Sequence, residues 1–159
     1  MPPMRILPRS CFQACFAAAA AAALAAPAKP LAEPAKIDVR VSPDKQAPGS
    51  QAQVVVQLHP AAGVKINRYP KIKLTVDDAQ GLLHGGTSAV GNDAPPPPEK
   101  MESNYFAQVE PVELRLELDR AAAPGAHVVE GKLSYFYCVA ASGFCAPART
   151  TIKIPLTVQ

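Results

Sequence analysis

The sequence lacks most of the motifs that mark common classes of enzyme and metal protein. It has no Cys-x-x-Cys or His-x-x-x-His spacing for zinc, no Ser/His/Asp order, no paired-carboxylate motif and no phosphate-binding glycine loop. Beyond residue 26 no apolar run approaches the roughly 20 residues that a membrane-spanning helix needs. We therefore expect no bound metal and no other cofactor.

The N-terminal residues have the order of parts found in secretory signal peptides. Arg5 and Arg9 precede an apolar stretch from Phe16 to Ala26, and small-residue cleavage sites follow at 23–25 and 26–28. We predict a signal peptide over residues 1–25, with cleavage between 25 and 32, and a Pro/Ala linker over 26–35. No cysteine follows the apolar stretch where a lipid anchor would attach. We expect an exported protein that does not span the membrane after cleavage.

The charge of the chain is small once the leader is removed. Loss of Arg5 and Arg9 lowers the formal net charge from +3 to +1. A nearly neutral chain attracts nucleic acids and anionic membranes only weakly, so neither is an expected partner. Removing the leader also leaves Cys138 and Cys145 as the two cysteines of the exported chain.

From residue 36 onward, apolar and polar residues alternate in about seven short segments separated by Pro/Gly/Asp turns. These segments are Ile37–Val41, Val54–Leu58, Val64–Ile66, Ile72–Val76, Val112–Leu118, His127–Cys138 and Thr150–Val158. Each has one polar face, which is typical of antiparallel sheets. We predict an all-β, immunoglobulin-like antiparallel β-sandwich over residues 36–159, without a helix of ten residues. Residues 77–111 break the alternation and are predicted to form one long loop.

The two cysteines fit opposite each other in an antiparallel hairpin. Pairing Cys138 with Cys145 also places the core position Tyr137 opposite Ala146, so that inward residues meet inward residues. A directly opposed, non-hydrogen-bonded pair brings its Cα atoms to about 4.5 Å, which allows a disulfide. The alternation predicts that both cysteines lie on the wetter face.

Proline positions predict where the second strand of this hairpin lies in its sheet. Pro147 and Pro155 alternate in step with Cys145, at positions whose backbone N–H would point away from the first strand of the hairpin. Proline has no N–H, so it would disrupt pairing only with a further strand on the other side. We predict an edge strand.

The cysteine hairpin, from Tyr135 through Gly143-Phe144-Cys145-Ala-Pro147, resembles that of the N-terminal periplasmic domain of the DsbD family of thiol:disulfide interchange proteins. Two further stretches resemble the family in the same order, namely 63–67 leading into 71–74, and 102–106 before the strand at Val112. Together they cover about 120 residues. The resemblance implies an immunoglobulin-like domain whose single cysteine pair takes electrons from a membrane-embedded partner and passes them to periplasmic thiol proteins.

The resemblance also implies roles for individual residues. Cys138 and Cys145 match the redox pair, with the second cysteine bonding to the partner, and Tyr105 and Phe106 match an aromatic cap that shields the disulfide. We add Glu102, Asn67 and Phe136 as candidate supporting residues, the last because it shares the cysteine parity. The sequence includes neither a membrane-embedded nor a thioredoxin-like domain, so we expect a free-standing module that exchanges electrons with separate thioredoxin-like or membrane thiol-disulfide proteins.

Two alternatives remain open at this point. The first is an exported β-sandwich that serves as a binding or accessory domain and carries an inert structural disulfide. Closing so short a loop stabilises by only about 2.5 kcal/mol in the chain-entropy model, which makes the bond a weak staple. The second is a metal carrier that uses His59, His84 and His127 with the two cysteines, although Met101 is the only methionine beyond the leader for a copper site.

Overall fold

The computed structural model describes residues 33–159. The predicted signal peptide and most of the predicted linker lie outside the described residues. The first strand begins at Ala35, one residue before the predicted start of the domain.

Nine strands and one short 3-10 helix make up the described chain. They are β1 (Ala35–Ser42), β2 (Gln51–Pro60), β3 (Val64–Ile66), β4 (Ile72–Val76), β5 (Leu83–His84), β6 (Gly86–Val90), the 3-10 helix (Pro98–Asn104), β7 (Val112–Leu118), β8 (Gly125–Val139) and β9 (Phe144–Val158). Each of the seven predicted segments corresponds to one of these strands. No helix of residues 33–159 is long and apolar enough to cross a membrane.

The prediction of one long loop over residues 77–111 is wrong in part. This stretch contains β5, β6 and the 3-10 helix. The sequence of β6, Gly-Thr-Ser-Ala-Val, carries no apolar alternation. It forms a strand because it pairs along the whole length of β4, from Ile72 opposite Val90 to Val76 opposite Gly86. Cross-strand pairing therefore decides a structure that the local pattern does not signal.

The strands form two sheets, and every pair of named strands is antiparallel. Sheet A has the order β1-β2-β7-β5, and sheet B is built around β8. In sheet B, β9 pairs with one side of β8, β3 and β4 pair with successive parts of its other side, and β6 lies beyond β4. The fold is an immunoglobulin-like antiparallel β-sandwich, which confirms the prediction.

The core lies between the inner faces of the two sheets. In β7 the side chains of Val112, Leu114, Leu116 and Leu118 are buried, whereas the charged residues between them are exposed. Gly131 lies at the inner face of β8, where an added Cβ would come within 3.1 Å of Leu74, Ile152 and Ile154. The inner faces are packed so closely that a larger residue at this position of β8 would require the neighbouring side chains to shift.

Candidate functional site

The long hairpin β8–β9 positions the two cysteines. Its register runs from Gly125 opposite Val158 to Val139 opposite Phe144, and it places Cys138 directly opposite Cys145, as predicted. The two sulfurs form a disulfide of 2.04 Å with a Cα separation of 4.0 Å. A four-residue turn closes the hairpin, and Gly143 at its end has φ +67°, a conformation that glycine adopts without steric cost.

The two cysteines differ in exposure, which corrects the prediction that both lie on a wet face. Cys145 is exposed, but Cys138 is only 6% exposed. Both lie on the outer face of sheet B, which we call the cysteine face. Cys138 is covered there because β3 pairs along that part of β8, with Lys65 opposite Cys138 and the Asn67 N–H donating to the Phe136 carbonyl at 2.9 Å.

Asn67 connects the disulfide to the cap segment, residues 98–106. Its side chain is 6% exposed, and its Oδ1 lies 3.6 Å from the Cys138 sulfur. An isolated antiparallel bridge places Tyr105 directly opposite Asn67, which brings the Tyr105 side chain to the cysteine face. The predicted site residues Asn67 and Tyr105 are therefore grouped beside Cys138.

Lys65 links Glu102 and Tyr105 at the same place. Its ammonium lies 3.0 Å from Glu102 Oε2 and 4.7 Å from the centroid of the Tyr105 ring. Because Lys65 is the register partner of Cys138, this cation stands between the disulfide and the cap segment. Glu102 itself is largely exposed and contacts the site through Lys65.

Phe106 does not cover the disulfide, which corrects its assignment to the aromatic cap. It is 8% exposed and belongs to the hydrophobic core, and its N–H donates to the Ile66 carbonyl at 3.0 Å. The Arg68 guanidinium lies 4.6 Å from the centroid of its ring. Adjacent residues of an extended segment point to opposite faces, so Tyr105 and Phe106 cannot both lie on the cysteine face.

Asn104 is a positioning residue that the sequence analysis missed. It is 5% exposed, its Oδ1 accepts from the Tyr69 N–H at 3.0 Å, and its Nδ2 donates to the Tyr69 carbonyl at 3.0 Å. This two-way bond holds the cap segment against the chain that follows β3. An asparagine within a polar segment gives no sequence signal for a partner 35 positions away.

Phe136 is half-buried and lies opposite Pro147, next to the disulfide along the hairpin. It contributes an apolar patch to the cysteine face. The three histidines are not gathered with the cysteines, and residues 33–159 contain no group of three or more His, Cys, Asp or Glu side chains that could hold a metal ion.

No protein-family model matches this chain, and no curated protein matches it. Among solved structures, one of murine CRIg is similar, with 9% sequence identity and a TM-score of 0.36, over 78% of this chain and 98% of that one. A likeness this weak carries no functional argument, and the resemblance to the DsbD family stays a prediction.

Proposed function

We propose that this protein is a periplasmic thiol–disulfide exchange module that transfers two electrons through Cys138 and Cys145 to or from a thioredoxin-like partner. The observation that carries the proposal is the unequal exposure of the two sulfur-bearing residues. Exchange requires an accessible sulfur to attack and a second sulfur to leave, and the pair offers one residue suited to each role.

The direction of the disulfide favours attack on Cys145. A thiolate attacks in line with the S–S bond, from the side opposite the leaving sulfur. The bond joins β8 to β9, so a nucleophile reaches Cys145 from beyond β9, where no strand of the described chain pairs beside it. Attack on Cys138 would come from the side of β3, where Lys65 and Asn67 lie.

The exchange can be written as a balanced sequence. A partner thiolate bonds to the Cys145 sulfur, the Cys145–Cys138 bond breaks, and Cys138 leaves as a thiolate that takes a proton from solvent. The second thiolate of the partner then attacks the partner sulfur that is bonded to Cys145. This step forms the disulfide of the partner and releases Cys145 as a thiolate. The partner is oxidised to a disulfide and this protein is reduced to a dithiol. The reverse sequence passes electrons onward.

Neighbouring groups can stabilise either form of the departing Cys138 sulfur. A Cys138 thiol can donate a hydrogen bond to Asn67 Oδ1, which lies 3.6 Å away. The Lys65 ammonium is carried by the residue opposite Cys138 on the same face, and a cation attracts a thiolate. Asn67 and Lys65 are therefore positioning residues of the proposed site.

The inert structural alternative has less support from the hairpin itself. Fifteen consecutive residue pairs already fix the register of β8 and β9. A disulfide across so short a loop adds only about 2.5 kcal/mol in the chain-entropy model. The bond is therefore not needed to define the hairpin.

Trapping of the mixed disulfide tests the proposal. A Cys138→Ser variant leaves Cys145 as the only thiol of the exported chain. The partner is a thioredoxin whose second active-site cysteine is replaced by serine and whose first is activated as a mixed disulfide with thionitrobenzoate. The two should form a stable covalent complex, detected by intact mass without reductant, because the partner has no second cysteine to release it. The matched Cys145→Ser variant leaves only the buried thiol and should give little complex.

The outcomes separate the alternatives. Preferential trapping through Cys138 would contradict the roles assigned here. If neither variant is trapped and the wild-type disulfide also resists dithiothreitol, the disulfide is inert and the proposed function is wrong.

A further inference from the structure

The outer faces of the two sheets differ in charge. On the outer face of sheet A, the strands carry three cations and three carboxylates, namely Lys36, Arg40, Arg115, Asp38, Glu113 and Glu117. On the cysteine face of sheet B, the strands carry five cations and one carboxylate, namely Lys65, Lys73, Lys132, Arg149, Lys153 and Glu130. The chain without its leader is nearly neutral overall, but the face that bears the disulfide carries an excess of positive charge.

The strand register places the cations in line with the disulfide. Lys73, Ser134 and Arg149 lie side by side across β4, β8 and β9, four residues along the hairpin from the cysteine pair. At about 3.3 Å per residue this row is roughly 13 Å from the disulfide, and at about 4.8 Å per strand its two cations are roughly 10 Å apart. Phe136 and Pro147 lie between the row and the disulfide.

Three cations of this face pair with or lie opposite a carboxylate, whereas Lys73 and Arg149 form no ion pair within residues 33–159. Lys65 pairs with Glu102 at 3.0 Å, Lys132 pairs with Asp77 at 2.6 Å, and Lys153 lies opposite Glu130 in the register. Within residues 33–159, no carboxylate lies within ion-pair distance of Lys73 or Arg149. We call these two residues the cation pair.

The cation pair borders a shallow depression of about 530 Å³, whose lining also includes Thr75, Asp77, Lys132, Ser134 and Thr151. Hydroxyl groups and cations therefore border one concave surface, and the carboxylate of Asp77 in its lining is paired with Lys132. Such a surface suits carboxylates, which accept hydrogen bonds from both kinds of donor.

We propose that the cation pair is the docking surface for a thiol protein with carboxylates beside its reactive cysteine. This inference rests on the proposed function and deepens it by naming the surface chemistry of the partner. The partner's cysteine meets Cys145, Phe136 and Pro147 provide the apolar contact, and the partner's acidic side chains lie over Lys73 and Arg149. Complementary charge of this kind acts mainly on the rate of encounter and on the choice of partner.

The test compares charged and neutral thiols on the same disulfide. The probes are a peptide with one cysteine followed by four glutamates, the same peptide with glutamines, and dithiothreitol as an uncharged thiol. The measured quantity is the second-order rate constant for attack on the Cys138–Cys145 disulfide at low salt. The variants are Lys73→Glu/Arg149→Glu and, as a matched control with the same charge change on the opposite sheet, Arg40→Glu/Arg115→Glu.

In Lys73→Glu/Arg149→Glu we expect the ratio of the glutamate-peptide rate to the glutamine-peptide rate to fall roughly tenfold. A factor of about ten is the lower end of electrostatic effects on association rates. The control variant should keep the wild-type ratio, and added salt should reduce that ratio in the wild type. Comparing ratios between variants cancels the intrinsic difference in reactivity between the two peptides.

Each other outcome overturns a defined part of the inference. If dithiothreitol reduces the disulfide but both double variants change the ratio equally, the docking surface is wrong while the exchange function stands. If inorganic phosphate at constant ionic strength abolishes the difference between the peptides, the cation pair binds a small anion and is not a protein-docking surface. If no thiol reduces the disulfide, the proposed function itself fails.

Discussion

Tyr105 and Phe106 are neighbours in the chain but act on different parts of the molecule. The Tyr105 ring lies beside the Lys65 ammonium on the cysteine face, and the Phe106 ring is buried in the core. The sequence alone does not distinguish them, because both are aromatic residues of the same segment. The difference arises because Tyr105 pairs with Asn67, which fixes the face to which each of the two side chains points.

This arrangement predicts different outcomes for two alanine substitutions. Tyr105→Ala should speed reduction of the disulfide by dithiothreitol with little loss of stability, because it opens the side of Cys138 that Asn67 and Lys65 border and so gives a small thiol a second point of attack besides Cys145. Phe106→Ala should instead lower the free energy of unfolding by about 3 kcal/mol, since it removes a buried ring. Reduction kinetics and urea unfolding measure the two effects. An unchanged reduction rate in Tyr105→Ala would mean that the ring does not shield the pair.

The sequence predicted the opposed cysteines but not their unequal burial. Opposition follows from local alternation in two strands that are adjacent in the chain, which a period-two pattern records. The burial of Cys138 depends on Asn67, 71 positions away, and on the pairing of β3 with β8. Local pattern does not specify which strands become neighbours, so the accessible cysteine could not be identified from alternation alone.

At the scale of elements, β9 is an edge strand along the part that carries Cys145. Its only named strand partner is β8, which confirms the prediction from Pro147 and Pro155. Each of these prolines lies at a position whose backbone faces away from β8, so the missing N–H leaves the hairpin intact and weakens the free edge as a template for another strand.

We predict that Pro147→Thr increases self-association. The substitution restores an outward N–H beside Cys145 and places a β-branched residue at the free edge, which favours pairing of two β9 strands. Light scattering coupled to size exclusion, over a range of protein concentrations, measures the change. Pro95→Thr, outside the strands, serves as the control and should behave as the wild type. Equal mass for Pro147→Thr and wild type at all concentrations would contradict a protective role for Pro147.

At the scale of the whole molecule, a depression lies at the side of the sandwich, where β1 of sheet A approaches β9 of sheet B. It has a volume of about 500 Å³ and is lined in part by Lys36, Tyr135, Pro147 and Arg149. Strand number and alternation predicted the sandwich itself. The depression was not predicted, because it depends on how the edge of sheet A meets the edge of sheet B.

Tyr135 makes this region sensitive to alkaline pH. Burial, together with the nearby Tyr137, raises the pKa of the Tyr135 hydroxyl above its ordinary value of 10.0. As pH rises past about 10, the tyrosine of the unfolded chain ionises while the folded one keeps its proton. The unfolded state then holds fewer protons, so the free energy of unfolding falls as pH increases toward the folded pKa.

Tyr135→Phe should remove this contribution. We expect the free energy of unfolding of the variant to fall less steeply than that of the wild type between about pH 9 and 11, because phenylalanine cannot ionise in either state. Below about pH 9 both Tyr135 states are protonated, and the difference between the two proteins should be constant. Urea unfolding followed by circular dichroism across this range measures both slopes. Parallel curves above pH 10 would show that the Tyr135 hydroxyl ionises as readily in the folded protein as in the unfolded chain, in conflict with its burial between the sheets.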